Sequence, residues 1–215
     1  DAGSLTISGV ISESGGSRPL AKLGPGVVVL ANASTYTGTT TVDGILRLVG
    51  DAGSIAQSGA LHVKRGATLE IDGTGSANPD RLGDGVAVTM GGAANDPATL
   101  RIIAGSAART ESVGVIDCGT SGRNRIELVA HDGNPAEFRA LLGPIGVFQG
   151  GTCQIDIVRT SDGAVPRLIS DLGYSDGTVV PFCTVDGQTA MYSTADGFVP
   201  LTGTGLRISN GSGGG

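Results

Sequence analysis

Pairs of aliphatic residues, each enclosing one polar or small residue, recur along this chain at nearly regular intervals. One series runs Leu46/Leu48, Leu69/Ile71, Leu100/Ile102, Ile126/Leu128 and Ile155/Ile157, its first members 23, 31, 26 and 29 residues apart. A second series, Leu61/Val63, Val86/Val88 and Val113/Val115, interleaves with the first at 25 and 27 residues. Every pair carries the period-two signature of a strand with one face inward and one outward. Two interleaved series with a common period mean that each turn of the chain lays down at least two strands. Repeats of this length mark a solenoid. The residues enclosed by the pairs, Arg47, His62, Glu70, Arg101, Glu127 and Asp156, are expected to face water.

Composition fits that expectation. The chain holds 38 Gly, no Trp and only 3% aromatic residues. A conventional globule uses aromatics as bulky core filler, whereas a narrow column of stacked Val, Ile and Leu does not need them. Gly at every third position, the collagen signature, is missing. Regular aliphatic runs and a net charge of only −6 argue against wholesale disorder. The expected fold is therefore all-β, one β-solenoid domain over residues 1–215. Regular coils are expected over 1–142, and looser coils or hairpins over 143–215. Asp–Gly pairs at 43–44, 72–73, 132–133, 162–163, 176–177, 186–187 and 196–197 supply the turns. The long interval after Ile71 leaves room for an excursion near residues 79–84. Asn134–Leu142, NPAEFRALL, reads as a short helix ended by Gly143.

One stretch adds a family resemblance. Ser34–Leu46, STYTGTTTVDGIL, sets Thr and Val at near-alternating positions around Gly38, as a strand–turn–strand corner requires. It resembles the strand repeat of bacterial autotransporter passengers and related giant surface proteins, which reads roughly N-T-Y-T-G-x-T-x-V-x-x-G-x-L. Ser34 replaces the usual Asn, and the spacing from Val42 to Leu46 is one residue short. Leu48–Gly73 is similar to the next coil of that family, and Val179–Leu201 to an element that closes its long repeat units. The resemblance implies a right-handed parallel β-helix and an extracellular, bacterial cell-surface setting. Asp1 is not preceded by a signal peptide, so the chain is expected to be a mature product or a piece of something longer.

Several function classes find little support. Fourteen basic residues scatter among 20 acidic ones without a basic stripe, so no nucleic-acid partner is expected. Arg123 and Arg125, the nearest thing to a cluster, read as a solvated strand edge. No apolar run approaches the ~20 residues that span a bilayer, so no membrane insertion is expected. Parallel β-helices also serve as polysaccharide lyases and hydrolases, which need clustered carboxylates or a placed base. Here eight of the 15 Asp precede Gly, where turn geometry explains them, and His62 and His131 read as surface residues. Nucleophile-elbow, phosphate-loop, calcium-nonapeptide and EF-hand motifs are not found. No catalytic residue, cofactor or metal is therefore expected, the weak exception being a calcium ion at Asp80 and Asp84. Cys118, Cys153 and Cys183 permit one bridge with one thiol left over. Cys118 with Cys153 is the expected pair, against the equal alternative of three small buried hydrophobes.

These observations lead to a non-catalytic structural unit of a bacterial extracellular fibre or surface passenger. The terminal coils of a solenoid carry unpaired N–H and C=O groups that must be capped or paired. Pairing them between copies gives a head-to-tail, non-closing contact. The expected assembly contacts are Leu5, Ile7, Val10 and Ile11 at the front and Leu206 and Ile208 in the tail. The alternative is an adhesin or glycan-binding rod displaying the loop Ser76–Asp84 or Asn134–Phe148. Hydroxyls from Thr35 to Thr41, with Tyr36, would then offer a weak surface for glycans.

Overall fold

The structure, a computed structural model, describes residues 3–78, 80–106, 109–118, 121–142 and 152–202. Among these there is no helix: the chain winds as a parallel β-solenoid of about six turns. One sheet holds β1 (Ser4–Ile7), β3 (Val27–Leu30), β5 (Ile45–Leu48), β7 (Thr68–Asp72), β9 (Ala98–Ile103), β11 (Ser121–Val129) and β13 (Thr152–Thr160). It continues through β15 (Val179–Val185), β16 (Gln188–Ser193) and β17 (Gly197–Pro200). The facing sheet holds β2 (Leu20–Lys22), β4 (Thr40–Val42), β6 (Ala60–Lys64), β8 (Ala87–Gly91), β10 (Arg109–Asp117), β12 (Ala136–Leu141) and β14 (Arg167–Ser170). From β1 to β15 the strands alternate between the sheets in chain order, two to a turn, as the interleaved aliphatic series required.

Register turns the inward residues into columns. Leu5, Val28, Leu46, Leu69, Leu100, Ile126, Ile157 and Val185 stack strand on strand. Beside them run Ile7, Leu30, Leu48, Ile71, Ile102 and Leu128. On the facing sheet Leu61 stacks on Val88 and Val88 on Ile116. From Leu46 to Val185 the first column is fully buried, and this narrow seam is the hydrophobic core. The Ser34–Leu46 segment forms the expected corner, with β4, an Asp43–Gly44 turn and β5 in succession. Gly44 holds φ +111°, and a Cβ there would run into the Gly24 carbonyl of the coil before it, so only glycine lets the corners stack this closely.

Three expectations need correction. Ile126 stacks on Ile157, not on Ile155, and Leu61 on Val88, not on Val86. Val115 stands 46% exposed because a bulge after Ser112 turns it outward and brings Ile116 onto Val88 instead. A slip of two residues keeps every side chain on its own face, so period-two pattern alone does not fix register. Second, residues 136–141 form β12, with Ala136, Phe138 and Ala140 inward, in place of the expected helix. Its residues favour helix, but the ladders to β10 and β14 override that preference. Third, Glu70 and Asp156 point outward yet are buried, covered by arginines from neighbouring coils.

Candidate functional site

The two ends of the solenoid differ most from the repeating coils between them. At the front, β1 pairs only with β3 and is an edge of its sheet. Leu5 is 57% exposed and Val10 52%, although Leu5 begins a column that is otherwise core. Ile7 and Ile11 are half-buried against that core. Of the sequence-derived assembly residues, these four come together at the open end. Leu206 and Ile208 lie outside the described residues.

The edge of the second sheet is finished differently. Lys22 occupies the position that Val42 and Val63 continue inward, and it is buried. Its ammonium donates to the carbonyls of Leu23 (3.4 Å), Gly24 and Asp43 (3.2 Å). A charged group seated on carbonyls ends that column, so only the β1 sheet carries open apolar positions to the front.

The rear is closed. The chain reverses at Asp186–Gly187, whose φ values of 50° and 81° suit a two-residue hairpin. The Asp186 carboxylate accepts from Arg159 Nη2 at 2.8 Å, Arg159 Nε at 3.0 Å and the Arg159 backbone N–H at 2.9 Å, which ties the turn to β13. β16 and β17 then add antiparallel. Gly197 comes so close to the Leu168 carbonyl that a Cβ would collide with it, which brings β17 against β14. Tyr192 Oη donates to the Ser170 carbonyl at 3.1 Å, and Arg167 Nη1 to the Ala195 carbonyl at 3.3 Å. Tyr174, Tyr192 and Phe198 pack ring on ring at centroid separations of 5.2–5.9 Å. Burial, helped by the neighbouring Cys183 and Tyr192, pushes the Tyr174 hydroxyl up to about 12.

Between the ends, the lateral face carries charge in register. Glu70 forms an ion pair with Arg47 at 2.5 Å and accepts a hydrogen bond from Arg101 Nη1 at 3.0 Å, and Arg101 reaches on to Glu127 at 3.4 Å. Asp156 accepts from Arg123, from Thr184 Oγ1 at 2.7 Å and from Gln154 Nε2 at 3.0 Å. On the opposite sheet Arg167 and Arg139 pair with Glu137 at 3.1 and 3.5 Å. Most of these contacts join one coil to the next, so Arg123, read as part of a solvated edge, is a lateral brace, while Arg125 pairs with Glu127 of its own strand at 3.4 Å.

The excursion after β7 folds back onto the solenoid rather than projecting. Ala77 N–H donates to Asp51 Oδ1 at 2.6 Å on one side, while Arg81 and Leu82 N–H donate to the Glu111 carboxylate on the other, the latter at 2.9 Å. Arg81 is 1% exposed, its Nη1 donating to the Leu48 carbonyl at 3.1 Å. Burial pushes the Glu111 carboxyl up to about 8, outweighing the two N–H groups that pull it down. A cavity of about 20 Å³ beside Arg81, Glu111 and Glu137 has room for a single water. Sequence reasoning missed this buried pair. The available signal was parity, since Glu111 lies two residues before the inward Val113.

Other expected residues resolve as follows. Tyr36 is buried, its hydroxyl 2.6 Å from Thr40 Oγ1, which lies 2.8 Å from Ser58 Oγ, so it offers no platform to a sugar. Loop Ser76–Asp84 buries Ser76, Arg81 and Leu82. The Asn134–Phe148 candidate is strand as far as Leu141, and its remainder from 143 lies outside the described residues. Cys118 is buried at the end of β10, while the side chain of Cys153 lies outside the described residues. His62 is exposed and His131 half-buried. Among the described residues no group of three or more His, Cys, Asp and Glu is placed to hold a metal ion. No family model, no curated protein and no solved structure matches this chain.

Proposed function

We propose that this chain is a non-catalytic structural rod of a bacterial extracellular fibre or surface passenger, joined end to end. The observation that carries the reading is one β-ladder, braced between coils by ion pairs and finished by an uncovered edge at its front. A ladder with hydrogen bonds along its long axis is stiff in that direction, and an unpaired edge is a template for another strand. The cell-surface setting is supported by the resemblance of Ser34–Gly73 to autotransporter passenger repeats. Capping of the rear by β16 and β17 means that flat edge-to-edge stacking at both ends is not the form of the joint. Negative-stain electron microscopy with sedimentation over a concentration series tests the reading: linear assemblies are expected, and a chain that stays monomeric at high concentration overturns it.

A further inference from the structure

Segment 80–84 is a corner of the solenoid with a coil on either side, and the two sides hold it by different chemistry. Toward the coil before, the Arg81 carbonyl accepts from the Ile55 N–H at 2.9 Å. Toward the coil after, the N–H groups of Arg81 and Leu82 donate to a side chain, Glu111, at 3.2 Å on Oε2 and 2.9 Å on Oε1. A link between main-chain groups does not titrate, whereas a carboxyl does. Asp51 and Asp186 also accept backbone N–H groups, yet both are exposed to water. Glu111 is only 4% exposed.

Its surroundings are mostly apolar. Phe138 stands beside it in register, and Ile71, Ile102 and Ala136 line the small cavity that it shares with Arg81. The charged residues of the elements packed here are Asp80 and Arg81 in the segment, Glu137 on β12 and Arg109 two residues along β10. Arg81 turns its Nη1 to the Leu48 carbonyl, and Glu137 is held by Arg139 and Arg167. A carboxylate so enclosed is disfavoured against the neutral acid, and access to water removes that penalty.

We propose that Glu111 bolts segment 80–84 shut in acid and lets it open as pH rises. Closed, the carboxyl keeps its proton; open, it reaches water and releases it. The displacement from 4.5 to about 8 sets the window. Between those values each opening releases one proton, so the open fraction grows roughly tenfold per pH unit. Above about 8 both forms are ionised and the growth stops, while below 4.5 both stay protonated and the bolt is fully set. Opening bares Arg81 and Leu82, which are 1% and 0% exposed when the segment is shut. The shaft thus holds a patch, a guanidinium beside a leucine, that it uncovers more often at neutral pH than in acid.

Hydrogen exchange at the Arg81 and Leu82 amides of the full chain, divided by the intrinsic rate at each pH, reads this opening. The corrected rate should rise roughly tenfold per pH unit and level off above about pH 8. Glu111→Gln removes the titrating group and should flatten that slope whatever the level, while Glu137→Gln should leave the slope in place. Dilute urea should hardly alter exchange at these two amides but should speed it at the buried Ile126 and Leu128, because local opening exposes little surface. Arg81 and Leu82 amides that follow the core in urea overturn the bolt, since Glu111 would then titrate only with global unfolding. A slope that survives Glu111→Gln, or that Glu137→Gln abolishes, assigns the titration to another group and also overturns it. If Glu111→Gln does not fold, corrected exchange in the unmodified chain that stays flat with pH still overturns the proposal.

Discussion

The front and the rear of this solenoid receive the same columns of aliphatic side chains and end them in opposite ways. Leu5 stands 57% exposed at one end of a column whose other end, Val185, is fully buried. Closure at the rear takes a two-residue hairpin, two antiparallel strands and a cluster of rings. Of the three Tyr and four Phe in the chain, Tyr174, Phe182, Tyr192 and Phe198 all lie there. Aromatics, nearly absent from the narrow shaft, are concentrated where a wide opening has to be filled. Stopping a solenoid at its rear therefore takes dedicated residues.

The largest expected effect tests this difference directly. Phe198→Ala removes a fully buried ring from the cap and should cost ~3–5 kcal/mol in urea unfolding. Leu5→Ala should change the stability of the monomer by less than ~0.5 kcal/mol, because little burial is lost. Equal losses at the two positions would mean that the front is as well packed as the rear.

The shaft between the ends should respond to pH in a way that neither end does. The Glu111 carboxyl is raised from 4.5 to about 8 in the folded chain, so the folded state binds its proton more tightly than the unfolded state. Its contribution is complete below about pH 4.5 and is lost as pH rises through about 8, on the order of several kcal/mol across that window. The urea midpoint should fall over this range, and Glu111→Gln should flatten the dependence. A profile that Glu111→Gln leaves unchanged would show that another group titrates with folding.

Lateral bracing comes next in size. Glu70→Gln removes the charge between Arg47 and Arg101, which lie 2.5 and 3.0 Å from its oxygens, at a cost of ~1.5–3 kcal/mol. Because both arginines are partly exposed, added salt should shrink that difference. A loss as small as that of Leu5→Ala would reduce the ladder to surface decoration and weaken the case for a braced rod.

How much of this was legible beforehand follows from what a sequence pattern encodes. Alternation at Leu46/Leu48, Leu69/Ile71 and Leu100/Ile102 reports which face a residue takes, and those faces and columns are the ones observed. It does not report which pair stacks on which, hence the two-residue slip at Ile157. Nor does it separate outward from exposed: Glu70 points outward, but arginines from the coils on either side cover it. In residues 134–142, helix-favouring composition masked the alternation of Ala136, Phe138 and Ala140. Arg81 was beyond reach because it sits in an irregular loop, where no period predicts burial. The closed rear was beyond reach for a related reason, because ring packing has no period at all.

The smallest expected effect has the opposite sign. Tyr174 packs its ring against Tyr192 and Phe198 at 5.3 and 5.9 Å. Its hydroxyl is buried and finds no hydrogen-bond partner among the described residues. Tyr174→Phe keeps the ring contacts and removes a buried donor, so it should raise stability by ~1 kcal/mol. A loss of stability instead would mean that the hydroxyl is hydrogen-bonded in solution and that its bond contributes to the cap.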